Sequence, residues 1–141
     1  MSELLHFRMT TGPVSDDWVK DQVEGSDSGC SIVFLGTVRE SSRGQQVLRL
    51  EYQAYPEMVR SELELIATEV AAHHQVLRFA IEHAIGVVPV GECSVALAVA
   101  SAHRAAGIAA VGEFMDALKA RVPIWKLEVY SDGKIWQGQG S

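Results

Sequence analysis

Cysteine is scarce in this chain: two among 141 residues, Cys30 and Cys93, each in an apolar run, with no CxxC pair and no histidine beside either. That spacing argues against a thiolate metal site or a disulfide framework and for two reduced core thiols. Long hydrophobic runs are missing as well. The longest, CSVALAVA at 93–100, is far short of the roughly 20 apolar residues that span a bilayer. The opening MSELLHFRMT has neither the basic start nor the continuous apolar stretch of a secretory signal, so a cytoplasmic location is expected. Positive charge is in deficit, with a formal net charge of −6, which disfavours a nucleic-acid or anionic-membrane partner. Any cationic site must be local. Neither GxGxxG nor GxxxxGK[ST] occurs, so the usual phosphate cradles and a Rossmann reading are excluded.

What is present is ordinary globular composition, 48% hydrophobic and 21% charged, in a length that suits one domain over 1–141. Hydrophobic periodicity alternates between strand and helix. A strand is expected at 4–10, then a helix from Ser15 to about Glu24. Ser15 can cap free amides there, Asp16 and Asp17 suit the positive end of the dipole, and Val14 with Val19 forms a hydrophobic staple. The β-branched and aromatic runs at 30–38 and 47–55 read as a hairpin around a flexible RESSRGQQ loop, in which Arg43 is a solvated residue. Pro56 opens a helix to about His74, with Val59, Leu63, Ile66, Ala67 and Val70 on its apolar stripe.

Two more strands, 77–86 and 92–100, flank the turn VVPVG. A helix follows from about His103 to Ala120, with Ala105, Ile108, Gly112, Met115 and Leu118 as its inner face. Pro123 ends it, because a proline ring clashes with the preceding turn and has no amide hydrogen. The strand 124–130 and the Asp132-Gly133 turn into 134–136 complete the order βαββαββαββ. Hairpins mixed with helical crossovers imply an α+β fold, a mixed or antiparallel sheet with packed helices.

The chemistry-bearing residues fall into three groups. Lys119, in the last turn of its helix, reads on position alone as a favourable dipole and capping residue. Lys126 shares a strand face with Glu128, and two readings stay open. The pair is a surface ion bridge of little worth, or a partly buried lysine whose lowered pKa suits proton transfer or nucleophilic attack. Arg39, at the end of Gly36-Thr37-Val38-Arg39, and His103-Arg104, where a strand gives way to a helix start, can meet an anion. In one helix from 103 to 120, Arg104 and Lys119 stand about 22 Å apart at about 1.5 Å per residue, too far to share a small ligand. Either the two serve different sites, or a twofold dimer brings one copy's His103-Arg104 to the other's lysines, and the dimer is the expectation.

Five blocks together resemble the large, catalytic subunit of molybdopterin synthase, the MoaE family: FLGTVRE (34–40), LEYQAYPEM (50–58), IEHAIGVVPVGE (81–92), SAHR (101–104) and DALKARVPIWKLE (116–128). The resemblance implies an α/β-hammerhead-type fold. It also implies a sulfurtransferase that builds the dithiolene of molybdopterin on cyclic pyranopterin monophosphate. The implied assembly is a heterotetramer: a central homodimer of this chain with a small ubiquitin-like subunit at each end, whose C-terminal Gly-Gly thiocarboxylate carries the sulfur. No cofactor or metal is implied. By motif, Lys119 and Lys126 are the expected catalytic residues, and Thr37, Val38, Arg39, His103, Arg104, Leu127 and Glu128 join them in binding substrate. A non-catalytic pterin- or nucleotide-binding module and a structural dimerisation subunit are the competing classes. Two departures from the family pattern stand out. Ala106-Gly107-Ile108-Ala109-Ala110 lacks the usual acid, with Gly107 expected to cost its helix up to about 1 kcal/mol relative to Ala. Leu127 replaces a common basic residue.

Overall fold

A computed structural model describes residues 3–139. The chain runs β1 (Leu5–Thr11), α1 (Asp17–Val23), β2 (Cys30–Thr37), β3 (Ser41–Ser42), β4 (Gln45–Ala54), α2 (Pro56–His73), β5 (Val76–Pro89), β6 (Cys93–Ser101), α3 (Arg104–Arg121), β7 (Ile124–Tyr130) and β8 (Ile135–Gln139). The strands form one mixed sheet in the order β2-β6-β5-β4-β7-β8, with β1 parallel to β5 and β3 beside β4. The α+β expectation therefore holds.

Strand β5 organises the whole. Over Phe79–Ile85 it pairs with β1, and from Gly86 onward the same edge pairs with β4. Gly86 sits at that handover with φ +83°, a conformation that costs glycine little and other residues more. One half of the sheet thus carries β1 and β6 and the other carries β4, β7 and β8.

Helix α2 buries Val59, Leu63, Ile66, Ala67 and Val70, the stripe expected from its spacing. Val14 and Val19 are both buried around the start of α1, and Ser15 Oγ accepts the Asp17 amide at 3.4 Å. Helix α3 differs from expectation. Its buried residues are Gly107, Ala110, Phe114, Met115 and Leu118, while Ala105, Ile108 and Gly112 face outward. Phe114 sets this rotation by packing on Phe79 with ring centroids 5.0 Å apart. Gly107 permits it: a Cβ there would lie 2.7 Å from Ser101 Oγ and 3.2 Å from an Ile32 side-chain carbon. The glycine is a close-approach residue between helix and sheet, not a weak point in the helix.

The hairpin expected between 30–38 and 47–55 does not form. Strand β2 pairs with β6 at the sheet edge and β4 lies between β5 and β7. The intervening segment makes its own small hairpin, β3 against the start of β4, around Arg43 (φ 55°) and Gly44 (φ +73°). Arg43 is not a freely solvated residue either, since its guanidinium lies 3.8 Å over the Trp136 ring.

Candidate active site

A cavity of about 310 Å³ opens where β2 ends, bounded by β4, β7, the first residues of β6 and the last turns of α3. Pro123 is what brings the lysines to it. The break turns α3 directly into β7, so that Lys119 from the helix and Lys126 from the strand line the same space. Alternation along β7 then places Glu128 beside Lys126, with Nζ and Oε2 3.9 Å apart. Arg39 joins from the segment after β2, completing a group of three cations and one acid.

Of the two settings considered for Lys126, the structure shows the partly buried one. Burial lowers its pKa, the Glu128 carboxylate opposes that shift, and Lys119, Arg39 and Arg43 add to the lowering. A surface ion pair would show the opposite balance. Glu128 is itself buried and is shared, accepting a 2.5 Å hydrogen bond from the Tyr130 hydroxyl. That bond is the main cause of the raised Tyr130 pKa. Lys126 is therefore held in a cationic, partly desolvated setting where, among the described residues, its one counter-ion is 3.9 Å away and already engaged.

The apolar floor and walls are Phe34, Val47, Leu50, Val95 and Met115. Val38 belongs to this wall as well. Its amide donates to Glu92 O at 2.9 Å, so that donor is taken, and its carbonyl accepts from Gly91 at 2.8 Å. Thr37 lines the cavity as expected. Tyr52 and Ser94 also reach it, and neither stands out in the sequence. The alternation of Leu50 and Tyr52 is the available signal. It marks a core-facing pair, and a tyrosine on such a face needs somewhere polar to put its hydroxyl.

Three expected residues lie elsewhere in the chain. Leu127 is not among the residues lining the cavity, as its place between Lys126 and Glu128 on a strand requires, and it lines a neighbouring groove of about 80 Å³ with Glu51, Gln53, Trp125, Lys126 and Gln137. His103 is the exposed N-cap of α3 and Arg104 its exposed first residue. With α3 unbroken from Arg104 to Arg121, the separation of about 22 Å from Lys119 stands, given a rise of about 1.5 Å per residue. Among the described residues no cluster of His, Cys, Asp and Glu suits a metal, and no helix is long and apolar enough to cross a membrane.

Residues 9–121 match the family model described as MoaE protein. The molybdopterin synthase catalytic subunit of Homo sapiens is 40% identical over 132 residues, covering 94% of this chain and 70% of the human one. That of Bacillus subtilis is 38% identical over 132 residues, covering 94% of this chain and 84% of its own. The crystal structure of molybdopterin synthase from Staphylococcus aureus superposes with a TM-score of 0.86 at 32% identity, over 94% of this chain and 97% of that one. The family model, the relatives and the superposed fold agree with the five sequence blocks, and the chain belongs to the MoaE protein family.

Proposed function

We propose that this chain is the catalytic subunit of a molybdopterin synthase, moving sulfur from the thiocarboxylated tail of a small ubiquitin-like carrier onto cyclic pyranopterin monophosphate to form the dithiolene. The observation that carries this reading is the convergence of Lys119, Lys126 and Arg39 on one cavity of about 310 Å³. The substrate is an anion and the donor ends in one, and a cationic, half-dry cavity favours both. No thiol lines the cavity: Cys30 and Cys93 are free but sit outside it. The sulfur must come from a partner, and the flexible end of a carrier is the right shape to enter an open pocket. Free, half-buried thiols also suit work in a reducing cytoplasm.

Within this reading Lys119, exposed at the rim, meets the thiocarboxylate carbonyl and stabilises charge or passes a proton there. Half-buried Lys126 and exposed Arg39 hold the phosphate and pterin. Glu128, fixed by Tyr130, orients the Lys126 ammonium. Thr37 and the Val38 side chain shape the wall. His103 and Arg104 reach a substrate only from a second copy of the chain, which is why the working form is a homodimer carrying one small subunit at each end.

Mixing the chain with a thiocarboxylated carrier and the cyclic pterin, then assaying for dithiolene, tests the reading. Wild type should turn over, and Lys119→Ala should form no product while keeping its fold. Binding without product would favour a non-catalytic module, and unchanged turnover in Lys119→Ala would refute the role given to that residue.

A further inference from the structure

The hairpin of β3 and β4 carries a positive charge that the proposed chemistry has not used. Its turn is two residues long, with Ser42 paired to Gln45 across it, and both central residues adopt positive φ. Gly and Asn occupy such turns most readily, yet Arg43 holds the first position. Its side chain does not trail into solvent. The guanidinium carbon sits 3.8 Å from the Trp136 ring centroid, within the range for a cation resting on an aromatic face.

Register ties this pair to the cavity. Trp136 on β8 is directly opposite Glu128 on β7, and opposed residues of antiparallel strands project from the same face. Glu128 lines the cavity, and so does Ser42, the residue just before Arg43. Arg43 is thus anchored at both ends beside the opening, by its turn and by its indole platform. It also lies within electrostatic reach of Lys126 and Tyr130, adding slightly to the lowering of the first pKa and opposing the rise of the second.

We propose that Arg43, seated on Trp136, is a further substrate-positioning residue whose planar fork grips an oxyanion at the mouth of the cavity. Stacking leaves the edge of the guanidinium free, and the edge is where its paired donors point. The oxyanion has two possible sources under the proposed function, on which this inference rests: the pterin's phosphate or the carrier's terminal thiocarboxylate. The chemistry is the same for both, an anionic group presenting two oxygens, or an oxygen and a sulfur, to a fork.

The test measures binding to the full-length chain by calorimetry in two arms, one with cyclic pyranopterin monophosphate and one with the small carrier bearing its free Gly-Gly end. Arg43→Asn removes the charge while suiting the turn, and Trp136→Leu removes the platform. Each should weaken binding about tenfold in one arm, the loss of a charge-assisted contact at a partly exposed site. Arg43→Lys should fall between, since a lysine keeps the charge and loses the fork. A loss confined to the pterin arm assigns the phosphate, and one confined to the carrier arm assigns the tail. Wild-type binding with Arg43→Asn within about twofold of it in both arms overturns the role of Arg43 alone. Wild type binding neither ligand overturns the functional reading and this inference together.

Discussion

Two largely buried cations, Arg78 in β5 and Lys126 in β7, show how differently the two halves of the sheet treat charge. Arg78 is well partnered. It donates to both oxygens of Asp27 at 2.8 and 3.0 Å and twice to Val23 O, and its pKa is raised chiefly by the Asp27 bond. Lys126 has one carboxylate 3.9 Å away, and burial together with three neighbouring cations lowers its pKa. A cation with a paired carboxylate and a backbone carbonyl to itself holds α1 and its following loop to the sheet. A cation left short of partners is free to engage a ligand. The difference separates scaffold from site more sharply than burial does, because both side chains are substantially covered.

The largest expected break comes from Lys126→Ala, which should lower dithiolene formation by about 100-fold or more, the usual scale for removing a positioned catalytic or charge-stabilising group. Next is a complementation experiment. Lys119→Ala and Arg104→Ala, each inactive alone, should recover part of wild-type turnover when mixed, because a mixed dimer rebuilds one intact site. No recovery after subunit exchange has been verified would rule out a site shared across the dimer. Lys126 can also be titrated by NMR through its side-chain carbons. Its midpoint should lie below the ordinary 10.5, and Glu128→Gln should lower it further by removing the one group that opposes the shift. The sign for stability follows. Since the unfolded lysine binds its proton more tightly, Lys126 costs the fold most at low pH, and that cost is relieved as pH rises through the lowered pKa toward 10.5. The smallest effect belongs to Gly107→Ala. Helix propensity alone predicts about 1 kcal/mol of gain. The approach to Ser101 Oγ predicts a loss of about 1–3 kcal/mol from overpacking, read by denaturant unfolding.

Much of the fold and of the site is legible in the amino-acid sequence. The stripe of α2, the Pro123 break, the shared face of Lys126 and Glu128 and the distance from Arg104 to Lys119 all follow from local geometry. The features that are not legible depend on distant partners. Nothing local says that β2 passes over β4 to pair with β6, and adjacency in sequence favours the hairpin that does not form. Likewise the face that α3 buries is set by Phe79, on a strand far upstream of Phe114, and by the closeness that Gly107 allows. Arg43 reads as solvated because its platform, Trp136, lies at the other end of the chain. Leu127 enters the expected site through its motif neighbours, although strand alternation already turns it outward. The place of Lys119 in the cavity lining is the least legible point. A lysine in a last helical turn is an ordinary cap until a strand returns beside it.

One paired assay bears on the central claim most directly: turnover and thermal melting of Lys126→Ala and Arg78→Met, reconstituted with thiocarboxylated carrier and cyclic pterin. Lys126→Ala should lose turnover and keep its Tm. Arg78→Met should keep kcat at a temperature where it remains folded and lose about 5–10 °C in Tm, the scale of a disrupted buried network in a domain of this size. A Lys126→Ala protein that turns over normally, or an Arg78→Met protein that melts normally yet has lost kcat, would contradict the division of the molecule into a well-partnered scaffold and an under-partnered site.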